Sequence, residues 1–295
     1  MAPTPATQRL VDNKAKKIVD DAYAGKYAVP AVCCYNLEGI LATVRAAEAK
    51  KSPAIVQLFP FSIDFADGVM LHAAAEAAAK ASVPVAVHMD HAQSPEIIRR
   101  AADLGGFDGI MVDMSHYERD ENMRLSRELV AYCNERGIIA ECEPGRINGG
   151  EDGVEATSED MEEILTTPEQ AEEFVDLGIH WLPAIGNIHG PYPTGGPQLD
   201  WPRLKAIEDQ VGDRVRIVLH GAHEDHFREE LMRQCIDYGT AKININGVMN
   251  REFIRVATEL AGKVPLTTMM EKQVQAMQAV IELNMDWMKS TGKAA

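Results

Sequence analysis

Three histidines stand at or just after the ends of short apolar runs that lie far apart in the sequence. His91 closes the run 83–91, His189 follows the run 181–185, and His220 follows the run 215–219. Three neutral imidazoles with one open position are a common ligand set for catalytic zinc, which polarises a carbonyl or activates water. One histidine after a strand is commonly a solvated turn residue, but three in the same relation predict a shared site.

Carboxylates occupy the same kind of position in the pattern. Asp90, Asp113, Glu141 and Glu143 close apolar runs, and Glu151 lies in the loop that follows one of them. When neutral histidines hold a metal, a nearby aspartate and glutamate can divide the roles of general acid and general base. These residue types therefore predict metal-assisted chemistry with proton transfer.

The elements that must position these side chains are short strands alternating with helices. The strand-like runs cover residues 28–35, 53–59, 83–91, 109–113, 138–143, 181–185, 215–219 and 241–245. They are apolar without strict alternation, as expected for strands covered on both faces. Eight such units predict an α/β protein with a (β/α)8 barrel, in which the carboxyl ends of all strands meet at one mouth.

The whole chain, residues 1–295, is predicted to be one domain. A helical pattern over residues 8–24 adds an extra helix before the barrel, and the pattern after the eighth strand adds a helical extension. Two long connections, 144–157 and 186–200, follow strands and so belong to the mouth. Loops of this length in a compact domain are often lids or binding loops.

Composition excludes several classes of partner. The formal net charge of −16 disfavours nucleic acid and anionic membrane surfaces. No apolar run approaches the roughly 20 residues that span a bilayer. The five cysteines are an odd number without paired spacing, which is typical of buried thiols in a reducing compartment. We expect a soluble cytoplasmic protein that acts on a small molecule.

Eight short motifs, in order, carry a family resemblance. They are Pro30-Ala-Val32, His88-Met-Asp-His91, Met111-Val-Asp113 with Ser115, Glu141-Cys-Glu143-Pro-Gly145, Gly149-Gly-Glu-Asp-Gly153, Gly186-Asn-Ile-His-Gly190, Leu219-His-Gly221 and Lys242-Ile-Asn-Ile245. From about residue 27 to residue 280, the chain resembles the class II, metal-dependent ketose-bisphosphate aldolases of the fructose- and tagatose-bisphosphate type. The resemblance implies reversible aldol cleavage through an enediolate.

The resemblance also implies roles for individual residues. His91, His189 and His220 would hold zinc, although cobalt, manganese or iron could also occupy such a site. Asp90 would move the proton of the hydroxyl at the scissile bond, and Glu151 would exchange the proton on the enediolate carbon. A monovalent cation is a second candidate ion.

Three further positions are implied in the same way. Asp113 and Glu143 match a second or alternative metal position, and Asn244 matches a residue that orients the substrate. Family members are often oligomers, so a homodimer or homotetramer is expected.

Four polar contacts of the family are changed in this chain. A His-Gly-Gly-Ser motif reads His220-Gly-Ala-His223, and an Asn-x-Asp-Thr-Asp motif reads Asn244-Ile-Asn-Gly-Val248; Cys33 replaces an asparagine and Phe59 replaces a serine. Losing one polar partner of a buried group commonly costs about 1–3 kcal/mol. The candidate substrate contacts are Cys33, Phe59, Arg146, Gly190, Gly221, His223, Asn244, Asn246 and Gly247.

The prediction is therefore a zinc-dependent aldolase with a rebuilt pocket for a ketose phosphate or a related 2-keto-3-hydroxy compound. Three alternatives remain open at this point. One is an ordinary fructose-1,6-bisphosphate aldolase, another is a metal-dependent hydrolase or epimerase on the same barrel, and the third is a non-catalytic binding protein. Loss of turnover with a chelator would exclude the binding protein, and a three-carbon product would exclude the epimerase.

Overall fold

Eight parallel strands close into a barrel in which each strand pairs with the next along the chain and β8 pairs with β1. This is the computed structural model of the chain, and it describes residues 5–145, 166–182, 197, 199–222 and 226–294. The strands are β1 (Val29–Cys33), β2 (Ala54–Leu58), β3 (Val85–Ala92), β4 (Gly109–Val112), β5 (Ile139–Cys142), β6 (Trp181–Leu182), β7 (Arg216–Leu219) and β8 (Thr240–Ile245). The predicted (β/α)8 barrel is confirmed.

Helices surround the barrel and extend it at both ends. In the described residues they are α1 (Pro5–Val11), α2 (Lys14–Gly25), α3 (Leu37–Lys50), α4 (Phe61–Asp64), α5 (Val69–Lys80), α6 (Pro95–Leu104), α7 (Arg119–Glu135), α8 (Pro168–Val175), α9 (Trp201–Val211), α10 (Glu229–Asp237), α11 (Gly247–Leu260) and α12 (Leu266–Trp287). None of these helices is both long and apolar enough to cross a membrane.

The main core lies between the outer faces of the strands and the surrounding helices. Ile40, Leu71 and Ile98 on helices pack there against strand residues such as Leu58 and Ile110. Because each strand is covered by helices outside and by other strands' side chains inside, its residues are apolar without alternation. The five cysteines are buried free thiols, as predicted.

The amino-terminal helix predicted over residues 8–24 is two helices in the structure. Asn13 separates them because its side chain accepts a hydrogen bond from the backbone N–H of Lys16 and so begins α2 as an N-cap. The same side chain donates to the carbonyls of Asp108 and Gly137, just before β4 and β5. The turn at Asn13 therefore ties α2 to the barrel.

Helix α2 closes the amino-terminal end of the barrel. Its apolar face and the first inward residues of the strands form one buried cluster, whose members include Ala15, Ile18, Val19, Ala22, Val29, Ile55, Ala86, Ile139, Trp181, Val218 and Ala241. The barrel is thus filled by hydrocarbon at this end. Polar inward side chains begin one layer higher, with Gln57, His88, Glu141 and Lys242.

Candidate active site

The carboxyl end of β3 brings two adjacent residues to the barrel mouth. In a regular strand Asp90 and His91 would point to opposite faces. Here the pairing with β4 shifts register between Met89 and Ala92, and His91 has a left-handed φ of 44°. A bulge of this kind redirects a side chain, and a non-glycine residue in this region stores strain that is common at functional sites.

Asp113, which follows β4, holds the ring of His91. The Nδ1 atom of His91 lies 2.8 Å from Oδ2 of Asp113. Ser115 and Gln93 also donate to this carboxylate, at 2.6 Å and 3.0 Å. Burial alone would raise the pKa of Asp113, but the hydrogen bonds from His91, Ser115 and Gln93 outweigh it and hold the pKa well below its usual value. An ionised carboxylate only accepts, so Nδ1 of His91 carries the hydrogen.

Glu141, on β5, holds the ring of His220 in the same way. The Nε2 atom of His220 lies 2.7 Å from Oε1 of Glu141, and Lys242 donates to Oε2 at 3.1 Å. Burial alone would raise the pKa of Glu141, but Lys242 and His220 outweigh it and lower that pKa. Nε2 of His220 therefore carries the hydrogen, and Nδ1 keeps its lone pair.

The two remaining imidazole nitrogens face each other. Nε2 of His91 and Nδ1 of His220 are 3.1 Å apart. When both rings are neutral and donate to their carboxylates, each of these nitrogens presents a lone pair, which is the arrangement that a cation between them would stabilise. Two nitrogens bound to one tetrahedral zinc at about 2.0–2.1 Å stand roughly 3.3 Å apart. The donor set therefore fits a metal ion.

Two overlapping groups of side chains in the described residues have metal-binding geometry. One is Asp90, His91 and His220, and the other is His91, Asp113 and Glu143; within each group the ligand atoms lie within 4.8 Å of one another. The first group contains two of the three residues predicted to hold zinc, together with Asp90, and the second contains both residues predicted for an alternative metal position. His189, the third predicted histidine ligand, lies outside the described residues.

Asp90 is fully buried and is held by two amides. Gln57 on β2 donates to Oδ2 at 2.7 Å, and Asn244 on β8 approaches both oxygens at 3.4–3.5 Å. Asn244 was predicted near the substrate, whereas sequence reasoning missed Gln57. The signal for Gln57 was a glutamine inside an otherwise apolar strand, which seldom occurs without a partner.

The β8–β1–β2 side of the mouth carries aromatic and amide groups. Phe59 lies between Tyr35 and His91, with ring centres 5.5 Å and 6.3 Å away and nearly parallel planes. Asn246 donates to the hydroxyl of Tyr35 at 3.0 Å and accepts from Asn250 at 2.9 Å. The structure thus brings predicted Phe59 and Asn246 to one wall, and Tyr35 and Asn250 are members that sequence reasoning missed.

The remaining predicted residues are divided between described and undescribed segments. Cys33 lies at the end of β1, where its Sγ is 3.6 Å from Nε2 of Gln57. Gly221 follows β7 with a φ of 64°, and Gly247 begins α11. The others, Arg146, Glu151, Gly190 and His223, lie outside the described residues.

Closed parallel barrels with histidines and carboxylates at the carboxyl ends of their strands define a class, the (β/α)8-barrel enzymes. Within that class, the family model described as "Fructose-bisphosphate aldolase class-II" matches residues 13–293. The chain belongs to this family, and so it is a class II aldolase, a carbon–carbon lyase.

Individual relatives agree with the family. A Coccidioides immitis (strain RS) protein with a provisional fructose-bisphosphate aldolase name is 54% identical, over 97% of this chain and 96% of its own. The fructose-bisphosphate aldolase of Geobacillus stearothermophilus is 34% identical, over 95% and 98%. A crystal structure of a Coccidioides immitis protein with a provisional fructose-1,6-bisphosphate aldolase name superposes with a TM-score of 0.91 at 55% identity, covering 96% and 98%.

Proposed function

We propose that this chain is a zinc-dependent aldolase that reversibly cleaves a ketose phosphate or a related 2-keto-3-hydroxy compound. The observation that carries the proposal is that Nε2 of His91 and Nδ1 of His220 lie 3.1 Å apart at the barrel mouth. His189 is proposed as the third ligand, and Asp113 and Glu143 would hold an alternative metal position. When bound, zinc would supply a fixed positive charge that polarises the substrate carbonyl and balances the negative charge left by cleavage.

Asp90 is the proposed acid and base at the bond that breaks. In the cleavage direction its carboxylate takes the proton of the hydroxyl on the carbon of the scissile bond that lies farther from the ketone. That carbon becomes the carbonyl of the departing aldehyde, and the bonding electron pair stays with the keto fragment. Gln57 and Asn244 fix Asp90 for this step, and its complete burial excludes bulk water. Glu151 is proposed to return a proton to the keto fragment.

The pocket around this centre decides the substrate, and two substrates are supported about equally. Phe59, Tyr35, Asn246 and Asn250 form a wall of aromatic and amide groups, which supports a rebuilt pocket. The names of the relatives support fructose 1,6-bisphosphate itself. Arg146, His223, Gly190, Gly221, Gly247 and Cys33 remain proposed substrate contacts.

The test is steady-state cleavage of fructose 1,6-bisphosphate by zinc-loaded protein, with Asp90→Asn as the matched control because it preserves shape and cannot take a proton. A kcat of about 1–10³ s⁻¹ that is lost in the control would establish an ordinary fructose-1,6-bisphosphate aldolase. No cleavage of it, but release of an aldehyde from another 2-keto-3-hydroxy compound, would establish the rebuilt pocket. Epimerised or hydrolysed products without carbon–carbon cleavage would overturn the proposal.

The proposal extends to the organisation, location and partners of the chain. The chain would act as one barrel domain over residues 1–295, as a homodimer or homotetramer in the cytoplasm. Its partner would be a small sugar-like molecule rather than nucleic acid or a membrane, in keeping with the charge of −16.

A further inference from the structure

A buried ion pair lies one layer below the proposed metal ligands. Glu141 on β5 and Lys242 on β8 are both 0% exposed, with Nζ of Lys242 3.1 Å from Oε2 of Glu141. A buried ion pair is weak evidence for stability, because apolar residues of the same volume often serve equally well. Its presence at this depth calls for another explanation.

The hydrogen bond between Glu141 and His220 offers an explanation for the buried ion pair. Oε1 of Glu141 accepts from Nε2 of His220 at 2.7 Å. The contact therefore selects one tautomer and one ring orientation, in which the lone pair of Nδ1 faces Nε2 of His91. Carboxylates that hold a ligating histidine in this way commonly strengthen metal binding.

Lys242 fixes the carboxylate that fixes the histidine. Because the ammonium holds Oε2, the other oxygen of Glu141 is left directed at His220. The ammonium is itself placed against the Trp181 ring, 5.3 Å from the ring centre. His88 completes the surroundings, with Nε2 3.4 Å from Oε2 of Glu141. Its ring has room because β4 carries a glycine there: a Cβ on Gly109 would lie 2.7 Å from Cδ2 of His88.

We propose that Lys242 and Glu141 are positioning residues for the metal centre and that they act through His220. The inference rests on the proposed function, since it requires His220 to be a metal ligand. It gives β8 two roles, because Lys242 reaches the metal centre through Glu141 while Asn244, two residues further on, contacts Asp90.

The test is a double-mutant cycle on zinc affinity, measured by competition with a chromophoric chelator and independently of turnover. Lys242→Met leaves a buried carboxylate without its cation. Glu141→Gln should turn its amide oxygen to the ammonium, which sets the amide N–H₂ against the N–H of His220. We expect each to raise the zinc Kd about 10–100-fold. In Glu141→Gln/Lys242→Met the amide oxygen can again accept from His220 with no ammonium opposite, so zinc should bind about 10-fold more tightly than to Glu141→Gln alone.

Lys50→Met is the matched control, because it removes a lysine from an ion pair with Asp286 (Nζ–Oδ2 2.7 Å) outside the barrel. Its zinc Kd should equal that of the wild type. If Lys242→Met does not fold, the zinc Kd of Glu141→Gln can still be compared with that of the double variant. A purely structural role gives no reason for the second substitution to tighten zinc binding.

The visible spectrum of the Co²⁺-substituted protein adds a second readout. Altered ligand-field bands are expected in Lys242→Met and not in Lys50→Met. Wild-type protein that binds no zinc would overturn the proposed function and this inference with it. Wild-type protein that binds zinc, with both single variants within threefold of its Kd, would overturn this inference alone.

Discussion

The two ends of the barrel are filled by opposite kinds of side chain. At the amino-terminal end the inward residues are apolar and pack against α2, as Val29, Ile55 and Ala86 do. At the mouth they are Asp90, His220 and their neighbours, linked by hydrogen bonds. The strands are the same eight, so position along each strand separates the two environments. One end of the barrel therefore supplies stability, whereas the other accepts strain and buried charge for chemistry.

At the barrel mouth, the largest effect is expected from removing the histidine at the bulge. His91→Ala should abolish zinc binding and lower kcat/KM by more than about 1000-fold, because a bound metal contributes several kcal/mol to the transition state. The melting temperature of the metal-free protein should stay close to that of the metal-free wild type. Retention of a tenth of the activity would contradict a metal role for His91.

The corresponding substitution at the amino-terminal end of the barrel is Ile18→Ala. Ile18 is 5% exposed within the cluster that α2 forms with the strands. We expect a loss of about 2–4 kcal/mol in the free energy of unfolding, measured in urea, from lost burial and the cavity left behind. Activity per folded molecule should be unchanged.

Lys17→Ala, on the exposed side of α2, is the control and should change stability by less than about 0.5 kcal/mol. Loss of activity in folded Ile18→Ala would show that the two ends of the barrel are coupled, and would contradict their separate roles in stability and chemistry.

A finer test of the mouth is Gln57→Leu. The substitution removes the 2.7 Å hydrogen bond to Asp90 and should raise the activation barrier by about 1.5–3 kcal/mol, the usual worth of a hydrogen bond to a charged group. We expect kcat to fall about 10–100-fold in steady-state assays while zinc affinity is preserved. An unchanged kcat would show that Gln57 does not contribute to catalysis.

The smallest expected effect concerns pH and the amino-terminal end. Burial, and secondarily Lys16, lower the pKa of His180 from 6.5 to about 4, and its Nδ1 lies 3.4 Å from the backbone N–H of Ala140. As pH falls, His180 therefore becomes protonated at a higher pH in the unfolded chain than in the folded protein. The contribution to stability is complete above pH 6.5 and is lost between pH 6.5 and 4.

The full shift would correspond to about 3 kcal/mol. Because the ring keeps some exposure to solvent, we expect about 1–2 kcal/mol. The check is urea unfolding at pH 7 and pH 4.5, in which His180→Gln should be less pH-sensitive than the wild type. Equal sensitivity of both proteins would refute this assignment.

The sequence predicted the barrel because its signal is repeated eight times in local runs of apolar residues. It also predicted that Asp90, His91 and His220 would meet, since strand ends converge in any such barrel. The bulge at His91 was not predictable, because it arises in the pairing of β3 with β4. The roles of Gln57 and Lys242 depend on which inward side chains of distant strands share a layer. The break at Asn13 was missed because helical periodicity continues across it.

Helix α2 also has a consequence for how the chain is made. It leaves the ribosome early, yet its docking surface includes Ala241 on β8, more than 200 residues later. At about 5–20 residues per second, the apolar face of α2 waits roughly 10–40 s for that strand. Docking of α2 is therefore completed only after β8 has been made. Ribosome-bound chains that end before residue 240 should be cleaved within α2 by protease, whereas released full-length chains should be protected there.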